Sequence, residues 1–231
     1  MGSTYGQFCP VARAMELLDE RWTLLVVREL LEGSRHFNEL RRGVPKMSPS
    51  LLTKRLRTLT AAGVIERHEE VNRVTYELTP AGRELHAVVE ALGVWGTRWM
   101  PEIGDHHLDP RLLMWDLHRN LDLHAMPAER TVLAFHIHDA KPRSRDWWVI
   151  ADAGEVDLCD DDPGYEPTAS IAASLETLSR IWIGELAWDQ AVRADAIRIT
   201  APTHVRRQLP TWLTLSAFAS VDRPAATAPA G

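Results

Sequence analysis

Residues Met47 to Ala62, MSPSLLTKRLRTLTAA, constrain the chain more than any other stretch. Ser48 offers a side-chain oxygen to cap a helix, and Pro49 sits in the first turn, where its missing N–H costs nothing. At about 100° per residue, Leu52, Leu56 and Leu59 share one face, with Ser50, Thr53, Lys54 and Arg57 roughly opposite. One side of this helix needs a core, and the other is basic and rich in hydrogen-bonding groups. For an isolated helix such a face is usually just solvated charge. The flanking sequence gives it a more specific setting.

Upstream, Cys9 to Leu18 reads as a short helix with Val11, Met15 and Leu18 on its apolar side. Asp19 to Leu31 reads as a second helix, with Trp22, Leu25, Val26, Leu30 and Leu31 at near-helical spacing and Gly33 as its stop. Phe37 to Leu40 opens a third short helix that ends at Gly43, and Val44 to Met47 turns into the basic-faced helix. Downstream of Gly63, Val64 to Glu69 and Arg73 to Leu78 flank a tip around Glu70 to Asn72 and predict a hairpin. Val74, Tyr76 and Leu78 alternate with Arg73, Thr75 and Glu77, so one hairpin face can pack while the other stays wet. Helix, turn, basic-faced helix and hairpin form the order of a winged helix-turn-helix.

Charge is distributed to match. The net charge is −6, yet residues 1–104 hold 14 Lys and Arg against 13 Asp and Glu, and residues 105–231 hold 12 against 19. Arg35, Arg41, Arg42, Lys46, Lys54, Arg55 and Arg57 fall in one short span with Glu39 as its single acid. A compact basic patch on a near-neutral domain is the footprint of a phosphate-binding surface. On this reading Ser48, Ser50, Thr53, Lys54 and Arg57 meet the major groove, and Arg35, Arg41, Arg42 and Arg73 hold phosphates. Arg67 and Arg73 on the hairpin could reach phosphates or a minor groove, or serve only solubility.

The opening Cys9-Pro10-Val11, the run Arg21-Trp22-Thr23-Leu24-Leu25, the segment Arg35 to Leu40, Ser48 to Leu56, and Tyr76 to Gly82 occur in this order at characteristic spacing. With them the first domain resembles the HxlR-type winged helix-turn-helix transcriptional regulators over essentially its whole length. Asp19-Glu20 stands where that family usually has a glycine-rich turn, and the wing lacks the usual proline-rich tip. The resemblance implies a homodimer with two recognition helices in successive major grooves of double-stranded DNA. The sequence supplies its own reason for a dimer. Arg83 to Met100 carries Leu85, Val88, Val89, Leu92, Trp95 and Trp99 as an apolar stripe longer than a small winged domain needs. Packing on a second domain is the alternative use of that stripe. A two-fold pair predicts an inverted-repeat operator with half-sites about 34 Å apart.

No apolar run approaches the roughly 18 residues of a membrane span, and MGSTYGQFCP lacks the features of a signal peptide. Cys9 and Cys159 are the two cysteines, too few for a disulfide framework. A cytoplasmic protein without membrane contact is expected. The boundaries expected are a DNA-binding and dimerisation domain over 1–101, a linker over 102–109 rich in turn residues, a second domain over 110–220, and a disordered Ala/Pro-rich tail over 221–231.

The second domain predicts a helix from Arg111 to Asn120, strands over Thr131–His138, Asp146–Ala151 and Glu155–Cys159, and a helical pattern from Thr168 through Trp182. A short helix over Trp188–Val192, a strand over Ala196–Thr200 and a closing helix from Pro202 through Leu215 complete an α+β layer. The segment from Thr168 to Leu213 resembles, in pattern, the sterol-carrier-protein-like fold, although Asp195 and Ala201 stand where glycines are common. That resemblance implies an apolar tunnel between sheet and helices. Six of the nine tryptophans lie in this half. Aromatics are usually core, but tryptophan also lines apolar pockets while keeping an N–H to offer. An apolar or aromatic small-molecule effector is expected, with Trp115, Phe135, Trp147, Trp182 and Trp188 as the lining.

His136 and His138 share a strand face beside Asp139, a spacing compatible with metal ligation but without a third ligand, so no metal site is expected. Asp160 to Asp162 reads as a solvated acidic turn. No nucleophile elbow, phosphate loop or paired-carboxylate pattern is present, so neither an enzyme nor a cofactor is expected. Cys9 is the remaining chemical candidate. Some HxlR-type regulators sense oxidants or electrophiles through this cysteine, and the start of a helix favours a thiolate. Two alternatives to the ligand-responsive repressor therefore stand: a thiol-switch regulator whose second domain only dimerises, and a carrier of apolar ligands.

Overall fold

The computed structural model describes residues 4–71, 73–100 and 103–224. Its contacts divide the chain into two compact units, Met1–Trp95 and Gly96–Gly231. The first unit contains α1 (Pro10–Leu18), α2 (Thr23–Leu31), α3 (Phe37–Gly43), α4 (Pro49–Ala61), β1 (Ile65–Glu70) and β2 (Arg73–Leu78). It ends in α5 (Pro80–Trp99), within whose last turns the boundary falls.

The local signals of α4 work as its sequence dictates. The Ser48 hydroxyl accepts the Leu51 N–H at 3.3 Å, Pro49 occupies the first turn, and Gly63 at φ 71° closes the helix. Leu52, Leu56 and Leu59 are fully buried against Val26, Val27, Leu40 and Ile65. Burial of each leucine is worth about 1.5–3 kcal/mol, far more than the cap, so packing fixes the helix and the cap sets where it begins.

One expectation is corrected here. The second helix begins at Thr23, because Trp22 adopts φ 79° and a left-handed residue cannot continue an α-helix. Residues 19–22 form a tight break, in which the Thr23 N–H reaches the Glu20 carbonyl at 3.0 Å. On the apolar side of α1 Val11 and Met15 are exposed and Leu18 is half-buried, and Leu25 of α2 is exposed as well.

β1 and β2 pair antiparallel from Ile65↔Leu78 to Glu70↔Arg73. Of the expected tip, Asn72 lies outside the described residues. The Tyr76 N–H donates to the Arg35 carbonyl at 2.9 Å, tying the hairpin to the segment ahead of α3. At the other end of β2, the Thr79 hydroxyl donates to the Gly63 carbonyl at 2.7 Å and accepts the Gly82 N–H at 3.2 Å. The sequence Thr79-Pro80-Ala81-Gly82 is thus the joint between hairpin and α5.

The second unit contains α6 (Pro110–Arg119), β3 (Thr131–Ile137), β4 (Asp146–Asp152), β5 (Glu155–Cys159) and β6 (Ala169–Ala173), followed by α7 (Leu175–Trp182), α8 (Trp188–Arg193), β7 (Ile197–Thr200) and α9 (Thr203–Trp212). The strands form one sheet in the order β5-β4-β3-β6-β7, with β3 and β6 parallel and the other pairs antiparallel. Leu133, Phe135, Trp147, Val149 and Ile171 point into the core, where Leu117, Leu178 and Leu209 of the helices meet them.

The helix expected from Thr168 is corrected to a strand followed by a helix. Ala169, Ile171 and Ala173 are buried while Ser170 and Ala172 are half-exposed, and the Ser174 hydroxyl then caps α7 by accepting the Thr177 N–H at 3.1 Å. The closing helix stops at Trp212 instead of reaching Leu215. Leu213 pairs with Leu121, and the Thr214 N–H donates to the Asn120 carbonyl at 3.2 Å. Pro101, the expected helix stop, and the tail beyond residue 224 lie outside the described residues.

Candidate nucleic-acid interface and apolar cavity

On α4, Ser48, Ser50, Lys54 and Arg57 are exposed and Thr53 is half-buried. The Ser48 and Ser50 hydroxyl oxygens stand 3.2 Å apart at the helix start, and the Thr53 hydroxyl donates to the Pro49 carbonyl at 3.0 Å. The outward face therefore presents hydroxyls at its amino-terminal end, where the helix dipole is positive, and cations further along. Arg41, Arg42 and Lys46 are exposed on the end of α3 and the turn that leads into α4. Arg55 departs from the basic patch. It is 5% exposed, its Nε donates to the Arg21 carbonyl at 3.0 Å, and its guanidinium pairs with Glu20.

The arginines beside the hairpin already have partners. Arg35 pairs with Glu77 of β2 at 3.0 Å. Arg67 pairs with Glu69 at 2.6 Å, which holds its guanidinium still more firmly in the charged form. Arg73 donates to Nε2 of His36 at 2.8 and 3.2 Å, while Nδ1 of the same ring lies 3.2 Å from the Val74 carbonyl. Exposed pairs of this kind are worth at most about 1 kcal/mol, so a phosphate can compete for the arginines.

A cavity of about 320 Å³ opens in the second unit, with Phe135, Leu178, Trp182, Trp188, Pro210 and Leu213 among its lining. None of its lining side chains is charged. Of the five aromatic residues expected there, Phe135, Trp182 and Trp188 line it. Trp115 and Trp147 do not: the first is buried and stacked on His118 at 4.5 Å between centroids, and the second is buried with its N–H on the Ser144 carbonyl at 2.9 Å. The turn residues Gly184, Leu186 and Ala187 and the post-helix segment Leu213–Leu215 complete the wall. They were invisible to periodicity, and the glycine turn was their one signal.

The remaining candidates resolve separately. His136 pairs with Asp146 at 2.6 Å, whereas the Asp139 carboxylate accepts the Leu175 N–H at 2.8 Å at the start of α7. Among the described residues no three His, Cys, Asp or Glu side chains gather as metal ligands. Cys9 is a free, half-buried thiol just ahead of α1, and the backbone N–H groups of Ala12 and Val11 pull its pKa down. Close to it Phe8 is 98% exposed, and along α5 Val88, Leu92, Trp95 and Trp99 are exposed as one apolar stripe. Among the described residues no helix is long and apolar enough to cross a membrane.

Comparison with known proteins bears on the first unit. Residues 17–104 match the family model described as HxlR-like helix-turn-helix. An uncharacterized HTH-type transcriptional regulator of Synechocystis is 39% identical over 100 residues, which span 42% of this chain and 74% of that protein. The HTH-type transcriptional regulator YodB of Bacillus subtilis is 33% identical over 109 residues, spanning 46% of this chain and 94% of that protein. The crystal structure of quinone-bound YodB covers 39% of this chain and 98% of its own, at 32% identity and a TM-score of 0.35.

Proposed function

Because the chain belongs to the HxlR-like helix-turn-helix family of transcriptional regulators, we propose that it binds an inverted-repeat operator as a homodimer and represses transcription until a small apolar molecule enters its second unit. The observation that carries the DNA-binding part is the division of α4. Leu52, Leu56 and Leu59 are sealed in the core, and Ser48, Ser50, Lys54 and Arg57 face outward with Thr53 at their margin. These five side chains read the major groove, and Arg35, Arg41, Arg42 and Arg73 hold the flanking phosphates. The exposed stripe on α5 and the exposed apolar side of α1 supply the dimer surface. Selection from a randomised duplex pool tests this reading: a two-fold symmetric consensus is expected, and failure to enrich any sequence would overturn it.

The order α7, glycine turn, α8, β7, α9 supports placing the second unit with the sterol-carrier-like folds. Its cavity suits an uncharged ligand, since an ion would lose its hydration and find no charged partner on the wall. A cavity of about 150 Å³ holds one benzene, so this one takes a ligand of about two fused rings. Binding acts on DNA affinity by favouring one spacing of the two recognition helices.

One observation favours a second reading. Cys9 is a thiol with a lowered pKa placed beside the exposed apolar side of α1, and YodB has been crystallised in a quinone-bound form. On that reading Cys9 adds to an electrophile and the second unit only assists dimerisation. Cys9→Ser separates the two, because it abolishes an electrophile response and leaves a response to a cavity ligand intact.

A further inference from the structure

Asp19 and Glu20 lie in the break between α1 and α2, and the structure gives each a specific partner. The Asp19 carboxylate accepts the Tyr5 hydroxyl at 2.5 Å. That bond holds the amino-terminal arm against α1, where the Glu16 carboxylate also accepts the Tyr5 N–H at 3.1 Å and the Thr4 hydroxyl at 2.5 Å. Glu20 turns the other way and pairs with the Arg55 guanidinium. Arg55 comes from the middle of α4, and its Nε closes a second bond to the Arg21 carbonyl at 3.0 Å. Between the two acids and α2 stands Trp22 at φ 79°, its ring under the Arg21 guanidinium at 5.2 Å.

We propose that the acidic turn Asp19–Glu20 is a relay that joins the amino-terminal arm to the recognition helix, with Glu20 and Arg55 as positioning residues that set the angle of α4. The physical case rests on the burial of Arg55. A guanidinium that is 7% exposed cannot be left unpaired without a large desolvation cost, so α4 must follow wherever the carbonyl of Arg21 and the carboxylate of Glu20 go. The turn in turn is clasped by Tyr5 on its far side. Asp19 also draws the Tyr5 phenol toward its protonated, hydrogen-donating form. A left-handed residue at Trp22 makes the turn a discrete bend instead of a continuous helix, so a change at the arm or along α1 reaches α4 without passing through α2. Since Arg55 lies on the buried side, it touches no DNA when α4 meets a groove. The consequence for operator binding rests on the function proposed above, but the mechanical link does not.

Hydrogen exchange on the full chain reads the link directly. Tyr5→Phe removes one exposed hydroxyl and Glu20→Ala one partly exposed carboxylate, so both variants should fold. Tyr5→Phe is expected to speed amide exchange in α4 roughly two- to fivefold, the equivalent of losing one modest hydrogen bond, and Glu20→Ala by more than about tenfold, because it leaves the buried Arg55 guanidinium without its carboxylate, while β3 and β4 of the second unit stay unchanged. The paired exchange Glu20→Arg with Arg55→Glu should bring α4 back toward the parent rate if it folds. On a duplex selected by the parent protein, Glu20→Ala should weaken specific binding with an unchanged salt slope, because no phosphate contact is lost. Parent-like exchange of α4 in either Tyr5→Phe or Glu20→Ala would overturn the relay. Failure to select any duplex would overturn the DNA-binding reading and leave the exchange result standing.

Discussion

Gly82 lies against the carbonyl oxygen of Val64 so closely that a Cβ there would sit far inside van der Waals contact, with a Leu78 methyl group also within 3 Å. The obstacle is backbone, held by the Thr79 N–H at 3.1 Å, and it cannot swing aside as a side chain could. Gly82→Ala is therefore expected to cost about 1–3 kcal/mol, and more if the hairpin separates from α5. Thermal melting followed in the first unit checks this. A parent-like melt would show that α5 can shift without penalty.

Arg57 and Arg55 stand two residues apart and should behave oppositely. Arg57→Ala should weaken specific binding by about 1–3 kcal/mol if the side chain reads a base edge, or reduce the salt slope by about 1 if it meets phosphate. Titration of a selected duplex at several salt concentrations distinguishes these. An unchanged affinity together with an unchanged slope would remove Arg57 from the interface.

Filling the cavity should block effector binding without disturbing DNA. Ala187 lines the wall, and Ala187→Phe is expected to abolish stabilisation of the protein by two-ring aromatic compounds while operator affinity of the ligand-free protein stays within about twofold. Calorimetry against such a compound and DNA binding on the same preparation give both values. Equal ligand affinity in parent and variant would place the effector elsewhere.

The Cys9 thiol offers a pH test. Its bonds from Ala12 and Val11 favour the thiolate, so its pKa lies below the usual value of about 8.5. The thiolate fraction rises with pH through that lowered pKa, and the midpoint of the iodoacetamide rate should precede that of an unperturbed thiol. Peptide-resolved alkylation between pH 6 and about 9.5 shows it, and a midpoint at or above the ordinary value would remove the chemical basis of the electrophile reading.

Trp95 is 53% exposed on the apolar stripe of α5. Trp95→Glu places a charge where a partner would bury it, and is expected to convert the protein from dimer to monomer and to lower operator affinity by at least tenfold. Sedimentation equilibrium is the direct measure. A variant that stays dimeric would move the dimer surface away from α5.

The sequence by itself determined the elements whose causes are local. Ser48 and Pro49 start α4, the leucine spacing chooses its buried side, Gly63 ends it, and the alternation at Val74, Tyr76 and Leu78 makes β2. Each rests on a capping atom, a missing N–H or a period set by one backbone geometry, and neighbours in the chain suffice to decide it. The basic outward face of α4 was legible for the same reason.

Tertiary structure decided what depends on partners far along the chain. Ala169 to Ala173 carry a weak pattern that fits a helix as well as a strand, and only pairing with β3 makes them β6. Arg55 counts as one more basic residue until the carbonyl of Arg21 and the carboxylate of Glu20 draw it inward. Trp115 and Trp147 look the same as Trp182 and Trp188 in sequence. Which of them pack solidly and which border a cavity depends on how α7, α8 and the segment after α9 close over the sheet, because a void belongs to no single residue and is left by the shapes of all its neighbours.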